Sequence, residues 1–241
     1  MNLIERLKAA KHLVVFTGAG MSAESGVPTF RDAQTGLWAQ FRPEDLATPQ
    51  AFAAHPSRVW DWYAWRRGLV QKAAPHEGHI ALAELEMKIP KMTLITQNVD
   101  GLHHRAGSRT VIELHGNITR IRCSECGEPC EEFPDHSPPP CPLCGAYLRP
   151  DVVWFGESLP REALEASFRV CETADVFLSI GTSTLVQPAA MLPFKARELG
   201  AFTVEINPEP TPFSASAHLV LREPARLALP RLLLEAFGQP A

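Results

Sequence analysis

Short apolar strand patterns alternate with helical patterns along this chain, and one cysteine-rich stretch at residues 120–149 interrupts the alternation. Strand patterns at residues 12–16 and 92–96 come before that stretch, and those at 176–180 and 202–206 come after it. Repeated strand–helix units build a parallel sheet that helices cover on both faces. The sequence therefore predicts an α/β fold with a parallel sheet and a small second module.

Three further patterns are specific enough to be tested. Residues 56–74 predict a long helix in which three tryptophans and a tyrosine lie close together. Residues 152–155 are apolar and predict a short strand, and residues 187–199 predict a helix that ends at Gly200.

The composition excludes several classes of protein. The chain has 241 residues, 45% hydrophobic and 21% charged, so it can bury a sizeable core and is not mainly disordered. A net charge of −4 argues against dominant electrostatic binding to nucleic acid. No apolar run approaches the roughly 18 residues of a membrane span, and the N-terminus lacks the apolar region of a signal peptide. We therefore expect a soluble, cytoplasmic protein that does not associate with membranes.

A glycine-rich turn directly follows the first predicted strand. Residues 18–23 match the pattern G-x-G-x-x-G/A, in which glycines let the backbone turn tightly and approach a pyrophosphate. A glycine-rich turn that binds no ligand would show the same pattern. A dinucleotide-dependent dehydrogenase would also carry an acidic residue about 20 positions further on, after a second strand. No clear strand follows here until residue 92, which disfavours a dehydrogenase.

Four of the six cysteines form two C-x-x-C pairs with 14 residues between them; the four are Cys123, Cys126, Cys141 and Cys144. Four thiolates at this spacing suit tetrahedral zinc and leave no open coordination position, so the pattern predicts one structural Zn²⁺. Two disulfides are the alternative, which the lack of a secretory signal disfavours. Cys130 is either a substitute ligand or a bystander, and Cys171 lies on a helical pattern that suits the core.

Six motifs, in order along the chain, resemble those of the sirtuins, a family of NAD-dependent protein lysine deacylases. The motifs lie at residues 18–31, 96–103, 114–116, 152–157, 180–183 and 205–207. Together with the cysteine pairs, which follow the third motif, the resemblance covers nearly the whole chain.

The resemblance implies two domains with a cleft between them. A Rossmann-like NAD-binding domain is expected at residues 1–39, 76–118 and 150–241. A small domain is expected from a helical insert at 40–75 and a zinc-binding insert at 119–149. NAD as co-substrate and acyl-lysine proteins as partners would enter the cleft from opposite sides, and nothing in the sequence demands more than a monomer.

The resemblance also assigns the chemistry to one histidine. Sirtuins transfer the acyl group of lysine to the ADP-ribose part of NAD, with release of nicotinamide, free lysine and O-acyl-ADP-ribose. Such a reaction needs one general base near neutral pH, which suits histidine, and His115 matches the base of the family. His103 and His104 are the rivals, of which we expect the first to be structural or near the cofactor and the second to be solvated.

The expected cofactor contacts follow the motifs residue by residue. They are Gly18, Ala19, Gly20, Ala23, Glu24, Phe30, Arg31, Gln97, Asn98, Asp100, Gly181, Thr182, Ser183, Asn207 and Ala225. Asn98 and Asp100 match positions at the nicotinamide end, and Gln97 matches a ribose contact. Phe30 matches an aromatic residue that shields the reacting ribose, and Arg31 matches a residue that orients the cofactor.

The expected substrate contacts are Tyr63, Arg66, Val153, Phe155, Gly156 and Glu157. Tyr63 and Arg66 lie three residues apart on a predicted helix, so both can face one pocket. The arginine can hold a carboxylate through two hydrogen bonds, and the tyrosine hydroxyl can add a third. This Tyr-x-x-Arg resembles the signature of class III sirtuins, which remove succinyl, malonyl or glutaryl groups, and a small Ala23 would leave room for a longer acyl chain.

We therefore expect a desuccinylase and demalonylase that retains deacetylase activity. A deacetylase without acidic-acyl preference is one alternative, with Arg66 exposed on an amphipathic helix. A mono-ADP-ribosyltransferase, which activates the same cofactor for another nucleophile, is a second. A zinc-ribbon module that binds protein or nucleic acid without catalysis is a third, but it leaves the glycine-rich turn and His115 unexplained.

Overall fold

The computed structural model describes residues 1–28, 41–130 and 138–238. Within these residues the strands are β1 (His12–Thr17), β2 (Lys91–Thr96), β3 (Val111–Glu113), β4 (Gly116–Cys123), β5 (Pro129–Cys130), β6 (Leu148–Val152), β7 (Val176–Ile180), β8 (Phe202–Ile206) and β9 (Leu219–Leu221). The helices are α1 (Leu3–Ala9), α2 (Ala19–Ala23), α3 (Pro43–Leu46), α4 (Pro49–Ala54), α5 (Pro56–Lys72), α6 (Glu77–Lys88), α7 (Leu102–Arg105), α8 (Arg161–Cys171), α9 (Leu192–Glu198) and α10 (Ala225–Phe237). None of these helices is long and apolar enough to cross a membrane.

Six parallel strands form the larger sheet, in the order β3-β2-β1-β7-β8-β9. Strand β1 is buried along its whole length because helices cover both faces of the sheet. Leu13 and Val15 pack with α1, α6 and α10, whereas Val14 and Phe16 pack with α8 and α9 on the opposite face. The predicted α/β fold with a Rossmann-like parallel sheet is confirmed.

The direction in which strands are added reverses between β1 and β7. Strands β2 and β3 extend the sheet to one side of β1, and β7, β8 and β9 extend it to the other. In open parallel sheets, ligands bind at such a reversal, beyond the carboxyl ends of the strands. Thr17, Thr96 and Ile180 end β1, β2 and β7, so the segments that follow these three residues meet at one place.

A smaller antiparallel sheet, in the order β5-β4-β6, carries the cysteine pairs. Helix α5 packs against it, with Trp60 next to Cys123 and Cys141, and with Tyr63 in one apolar cluster with Trp154. The expected domain boundaries at 118/119 and 149/150 fall inside β4 and β6. The division into two domains therefore stays a prediction.

Two predicted elements differ from the structure. The strand expected at 152–155 is wrong, because β6 ends at Val152 and the chain then leaves the sheet, with the Phe155 amide donating to the Ala47 carbonyl (2.9 Å). The helix expected at 187–199 begins only at Leu192, after a 3-10 turn at Ala189–Met191. Pro193 explains the later start, because proline lacks an amide donor and fits the first turn of a helix but not its interior.

Candidate active site

A cavity of about 750 Å³ opens beyond the carboxyl ends of β1, β2 and β7. Its volume is typical of a site for a small molecule or cofactor. The predicted site residues that line it are Gly18, Ala19, Gly20, Tyr63, Arg66, Gln97, Asn98, Asp100, His115, Val153, Phe155, Gly156, Glu157, Gly181, Thr182 and Ser183. The fold thus brings five of the six motifs and the Tyr63–Arg66 pair to one place.

The other predicted cofactor contacts lie at the edge of this cavity or away from it. Ala23 and Glu24 are exposed at the end of α2. The Asn207 side-chain amide donates to the Thr182 carbonyl (3.0 Å), which places it directly beside the lining. Ala225 is buried at the start of α10 in the core under the sheet. Phe30 and Arg31 lie outside the described residues.

The glycine-rich turn presses against the segment that follows β7. The Gly18 amide donates to the Ile180 carbonyl (3.0 Å), and the Gly20 amide donates to the Gly181 carbonyl (2.8 Å). A Cβ atom on Gly20 would lie 2.9 Å from both the Cα and the carbonyl oxygen of Gly181, closer than side chains can approach a backbone. Only glycine fits here, so backbone forms this wall of the cavity.

Beside the turn, buried polar side chains form a hydrogen-bonded group. The Asn98 Nδ2 donates to the Gly18 carbonyl (2.9 Å) and to the Ser22 Oγ (3.0 Å). The Asp100 Oδ1 accepts from the Leu102 amide (2.9 Å), and burial raises the pKa of this carboxyl group. These bonds hold the polar groups in fixed orientations at the floor of the cavity.

His115 lies between the end of β3 and the start of β4, and it lines the cavity. Its Nδ1 lies 3.1 Å from the Gln97 carbonyl, and Gln97 is fixed in turn because its side chain donates to the Thr182 Oγ1 (2.8 Å). A carbonyl can only accept, so Nδ1 carries the hydrogen and Nε2 carries the lone pair. Burial lowers the pKa of His115, which keeps the ring neutral near pH 7 and able to accept a proton.

The rival histidines lie in different surroundings. His103 is buried behind the cavity, where its Nε2 bonds the Thr17 Oγ1 (2.9 Å) and its ring lies 5.0 Å from that of His79. Burial lowers the pKa of His103 to about 3, which suits a structural group rather than a base that cycles near neutral pH. His104 is half exposed, 3.7 Å from Glu113. Neither lines the cavity.

His76 was not predicted from the sequence, although its side chain is hydrogen-bonded to the backbone of the glycine-rich turn. Its Nε2 bonds the Met21 carbonyl (2.7 Å), and its Nδ1 accepts from the Gly78 amide (2.9 Å). The residue also stands at the cap position before α6, where a polar side chain is common. That position was the signal in the sequence, but it says nothing about the contact with the turn.

Tyr63 and Arg66 line the cavity from α5, whereas the glycine-rich turn lines it from the end of β1. Tyr63 is only 4% exposed and packs edge-on against Trp62, with ring centres 4.6 Å apart. Burial raises the pKa of the phenol, so its hydroxyl remains a hydrogen-bond donor. The Arg66 guanidinium lies 5.0 Å from the centre of the Trp62 ring. Burial lowers its pKa, but an arginine stays protonated at neutral pH.

Comparisons with known proteins agree with this arrangement. A sequence model described as the Sir2 family matches residues 18–188. The NAD-dependent protein deacylase of Aquifex aeolicus is 52% identical over 233 residues, which cover 94% of this chain and 97% of that protein. This chain belongs to the Sir2 family. The sirtuin resemblance is therefore confirmed, and the non-catalytic zinc-ribbon alternative loses its support.

Other relatives of this sirtuin lead to the same conclusion. NAD-dependent protein deacylase 1 of Pseudomonas aeruginosa is 48% identical over 245 residues and covers 98% of both chains. A crystal structure of a Sir2 homologue in complex with NAD superposes with a TM-score of 0.92 at 48% identity, covering 97% of this chain and 92% of that one.

The four paired cysteines of this sirtuin come together as predicted. The sulfur atoms of Cys123, Cys126, Cys141 and Cys144 all lie within 4.8 Å of one another. Individual separations are 3.4 Å, 3.8 Å and 3.9 Å, and a tetrahedral zinc site with Zn–S bonds of about 2.3 Å requires sulfurs about 3.8 Å apart. These four residues are positioned to bind one zinc ion. Among the described residues, Cys130 lies outside the cluster, and Cys171 is buried in the core.

The predicted substrate segment forms a turn at the mouth of the cavity. The Val153 amide donates to the His115 carbonyl (2.9 Å), which ties the segment to the candidate base. Phe155 is 44% exposed at the rim, and Gly156 follows it with φ of +88°. The Glu157 carboxylate is engaged by Arg149, a residue that the sequence analysis did not single out.

Proposed function

We propose that this sirtuin is an NAD-dependent protein lysine deacylase that prefers acidic acyl groups. NAD-dependent protein deacylation follows from its family and from relatives that share about half of its residues. The acidic preference rests on one observation: Tyr63 and Arg66 line the same cavity as His115 and the glycine-rich turn.

In this proposal the chain's own residues position both reactants and move one proton. When bound, NAD supplies an electrophilic ribose carbon and ribose hydroxyls. Gly18, Gly20 and the segment at 181–183 would hold the cofactor through backbone, and Asn98 and Asp100 would orient its nicotinamide end. His115 would accept a ribose proton at Nε2, because its Nδ1 is committed to the Gln97 carbonyl. A zinc ion held by all four cysteines would have no open coordination position, so its role would be structural.

The remaining predicted contacts belong to the same proposal. Thr182 and Ser183 would contact the phosphates or ribose, and Asn207 would act through its position beside Thr182. Ala23, Glu24, Phe30, Arg31 and Ala225 also remain proposed cofactor contacts. On the acyl side, Val153, Phe155 and Gly156 would flank the lysine chain.

The acidic preference has a simple electrostatic basis. An acyl carboxylate at the end of the cavity would meet the partly buried guanidinium of Arg66 and the buried, protonated phenol of Tyr63. Hydrogen bonds to charged groups contribute about 1.5–3 kcal/mol each, more than neutral ones. An acetyl group makes none of these bonds, so the pocket should favour succinyl or malonyl lysine.

A panel of acetyl-, malonyl- and succinyl-lysine peptides, each with and without NAD, tests the proposal. We expect NAD-dependent turnover of all three, highest kcat/KM for an acidic acyl group, and O-acyl-ADP-ribose by mass spectrometry. Highest kcat/KM for acetyl would favour the deacetylase without acidic preference. A protein substrate that gains the mass of ADP-ribose would favour mono-ADP-ribosyl transfer.

Proteins are the proposed partners. A Sir2 complex with a p53 peptide and NAD has a TM-score of 0.85 and 31% identity to this chain, so a structure of this kind can bind a peptide together with NAD. We propose a monomeric enzyme, because residues of a single chain line the cavity on both sides. Light scattering checks this: a stable dimer would contradict it.

A further inference from the structure

Arg149 forms a buried ion pair that the catalytic mechanism does not use. It lies on β6, the strand that leaves the zinc-binding insert, and is only 5% exposed. Its two terminal nitrogens donate to the two Glu157 carboxylate oxygens at 2.5 Å and 2.9 Å. One of them also donates to the Val152 carbonyl (2.8 Å). The guanidinium carbon lies over the Trp154 ring, 3.4 Å from the ring centre.

These contacts close a turn over residues 152–157. Glu157 accepts from the Trp154 amide (2.8 Å) while it holds Arg149, and its own amide donates to the Trp154 carbonyl (3.0 Å). The turn begins beside His115, whose carbonyl accepts from the Val153 amide. Its backbone therefore has one end at the candidate base and the other at the ion pair.

Trp154 connects the Arg149–Glu157 pair to the proposed acyl pocket. The Trp154 ring centre lies 6.2 Å from that of Tyr63 and 5.2 Å from that of Phe52, inside the apolar cluster to which α5 contributes. Because the Arg149 guanidinium contacts the Trp154 ring and binds the Glu157 carboxylate, it fixes both the ring and the turn at 152–157. Lysine would keep the positive charge but could not make both bonds to the carboxylate, because it has no planar fork.

We propose that Arg149 is a positioning residue for the acyl-lysine substrate: through Glu157 and Trp154 it holds the turn at 152–157 in its binding conformation. This inference rests on the proposed function, because it takes the turn to be the substrate-binding segment. The motif implies that Glu157 contacts the substrate. In this proposal its carboxylate instead stabilises the turn and does not contact the substrate.

Steady-state kinetics of Arg149→Met, Arg149→Lys and Glu157→Gln test the proposal, with Arg161→Met as the matched control. Arg161 also pairs with a glutamate, Glu165 at 2.6 Å, but on the exposed surface of α8. KM for acetyl- and succinyl-lysine peptides is measured at saturating NAD, and KM for NAD at saturating peptide. Melting temperature and NAD binding show whether each variant is folded.

We expect Arg149→Met to raise KM for both peptides on the order of tenfold or more, with KM for NAD changed less than about threefold. Arg149→Lys should fall between Arg149→Met and the unmodified enzyme, and Arg161→Met should change nothing. In the double variant, the effects of Arg149→Met and Glu157→Gln should not add, because both break one pair. If Arg149→Met does not fold, Arg149→Lys and Glu157→Gln give the same comparison.

Three results would overturn the proposal. One is an unchanged peptide KM in folded variants, and another is an equal rise of both KM values, which marks general damage. Additive effects of the two substitutions would also overturn it, because they would mean that Glu157 contacts the substrate independently. Failure of the proposed function looks different, since the unmodified enzyme would then favour the acetyl peptide or turn over no acyl-lysine peptide at all.

Discussion

On one side the cavity is lined by backbone and small polar groups at the ends of buried parallel strands, and on the other by large side chains of α5 and the turn after β6. The first side places Gly20 against Gly181 with no room for a Cβ atom. The second places Tyr63 and Arg66 in an aromatic cluster next to the cysteine module.

We therefore expect the two sides to tolerate different substitutions. The side formed by the glycine-rich turn, which we propose binds NAD and call the cofactor side, depends on sterics of the main chain, so a single added methyl group should disrupt it. The side formed by α5 and the turn after β6, which we propose binds the acyl-lysine and call the acyl side, depends on the chemistry of a few side chains, which can change without altering the sheet. Specificity for the acyl group should therefore be separable from cofactor binding by mutation.

The largest expected effect comes from His115, which lines the cavity. His115→Tyr removes the proposed general base, so turnover should fall about 10³-fold, within the range usual for such groups. NAD binding by calorimetry should persist, since the contacts of the glycine-rich turn are untouched. Turnover near that of the unmodified enzyme would remove His115 as the base.

Loss of the zinc site should damage the acyl side alone. Cys123→Ala deletes one of four thiolates beneath Trp60 of α5, and we expect it to cost about 4 kcal/mol or more of the stability of the small sheet and to abolish zinc binding. Cys130→Ala, in the same module but outside the cluster, should retain one zinc per chain by atomic emission. A fully stable, zinc-free Cys123→Ala protein would contradict the structural role.

The cofactor side is tested by Gly20→Ala. Overpacking of this kind costs about 1–3 kcal/mol, so KM for NAD should rise about tenfold or more while zinc content stays unchanged. Gly68→Ala in α5 is the matched control, because a Cβ there meets no atom within 4 Å. It should instead stabilise the helix by about 0.5–1 kcal/mol. Unchanged NAD affinity in Gly20→Ala would show that the turn does not hold the cofactor.

The smallest effect is on pH dependence. Burial lowers the pKa of His115 below its ordinary 6.5, so the proton-accepting form persists above that lowered pKa and is lost as pH falls through it. The acid limb of kcat/KM should therefore lie below pH 6.5. Acetyl and succinyl peptides should share it, because a carboxyl group with an ordinary pKa near 4.3 stays ionised there. An acid limb above pH 6.5 would contradict this environment for His115.

The two sides also differed in how far the sequence could predict them. The glycine-rich turn and residues 97–100 are local motifs at strand ends, and the parallel sheet brings such ends together, so their meeting was predictable. Arg149 and Glu157 are joined by a turn at 152–157, where the apolar residues 152–155 had predicted a strand. His76 reaches the glycine-rich turn from 55 residues away in sequence. Contacts of this kind depend on tertiary packing and leave no local pattern.

In the proposed function, Arg66 sets acyl specificity without affecting the cofactor side. The most direct measurement is kcat/KM for succinyl- and acetyl-lysine peptides at saturating NAD in Arg66→Met and in Arg67→Met. The Arg67 guanidinium lies 5.8 Å from the Trp60 ring, and Arg67 does not line the cavity, so it is the matched control. We predict that Arg66→Met lowers desuccinylation about 10–100-fold and deacetylation less than about threefold, and that Arg67→Met preserves the ratio. Equal losses of both activities in Arg66→Met would contradict this role of Arg66.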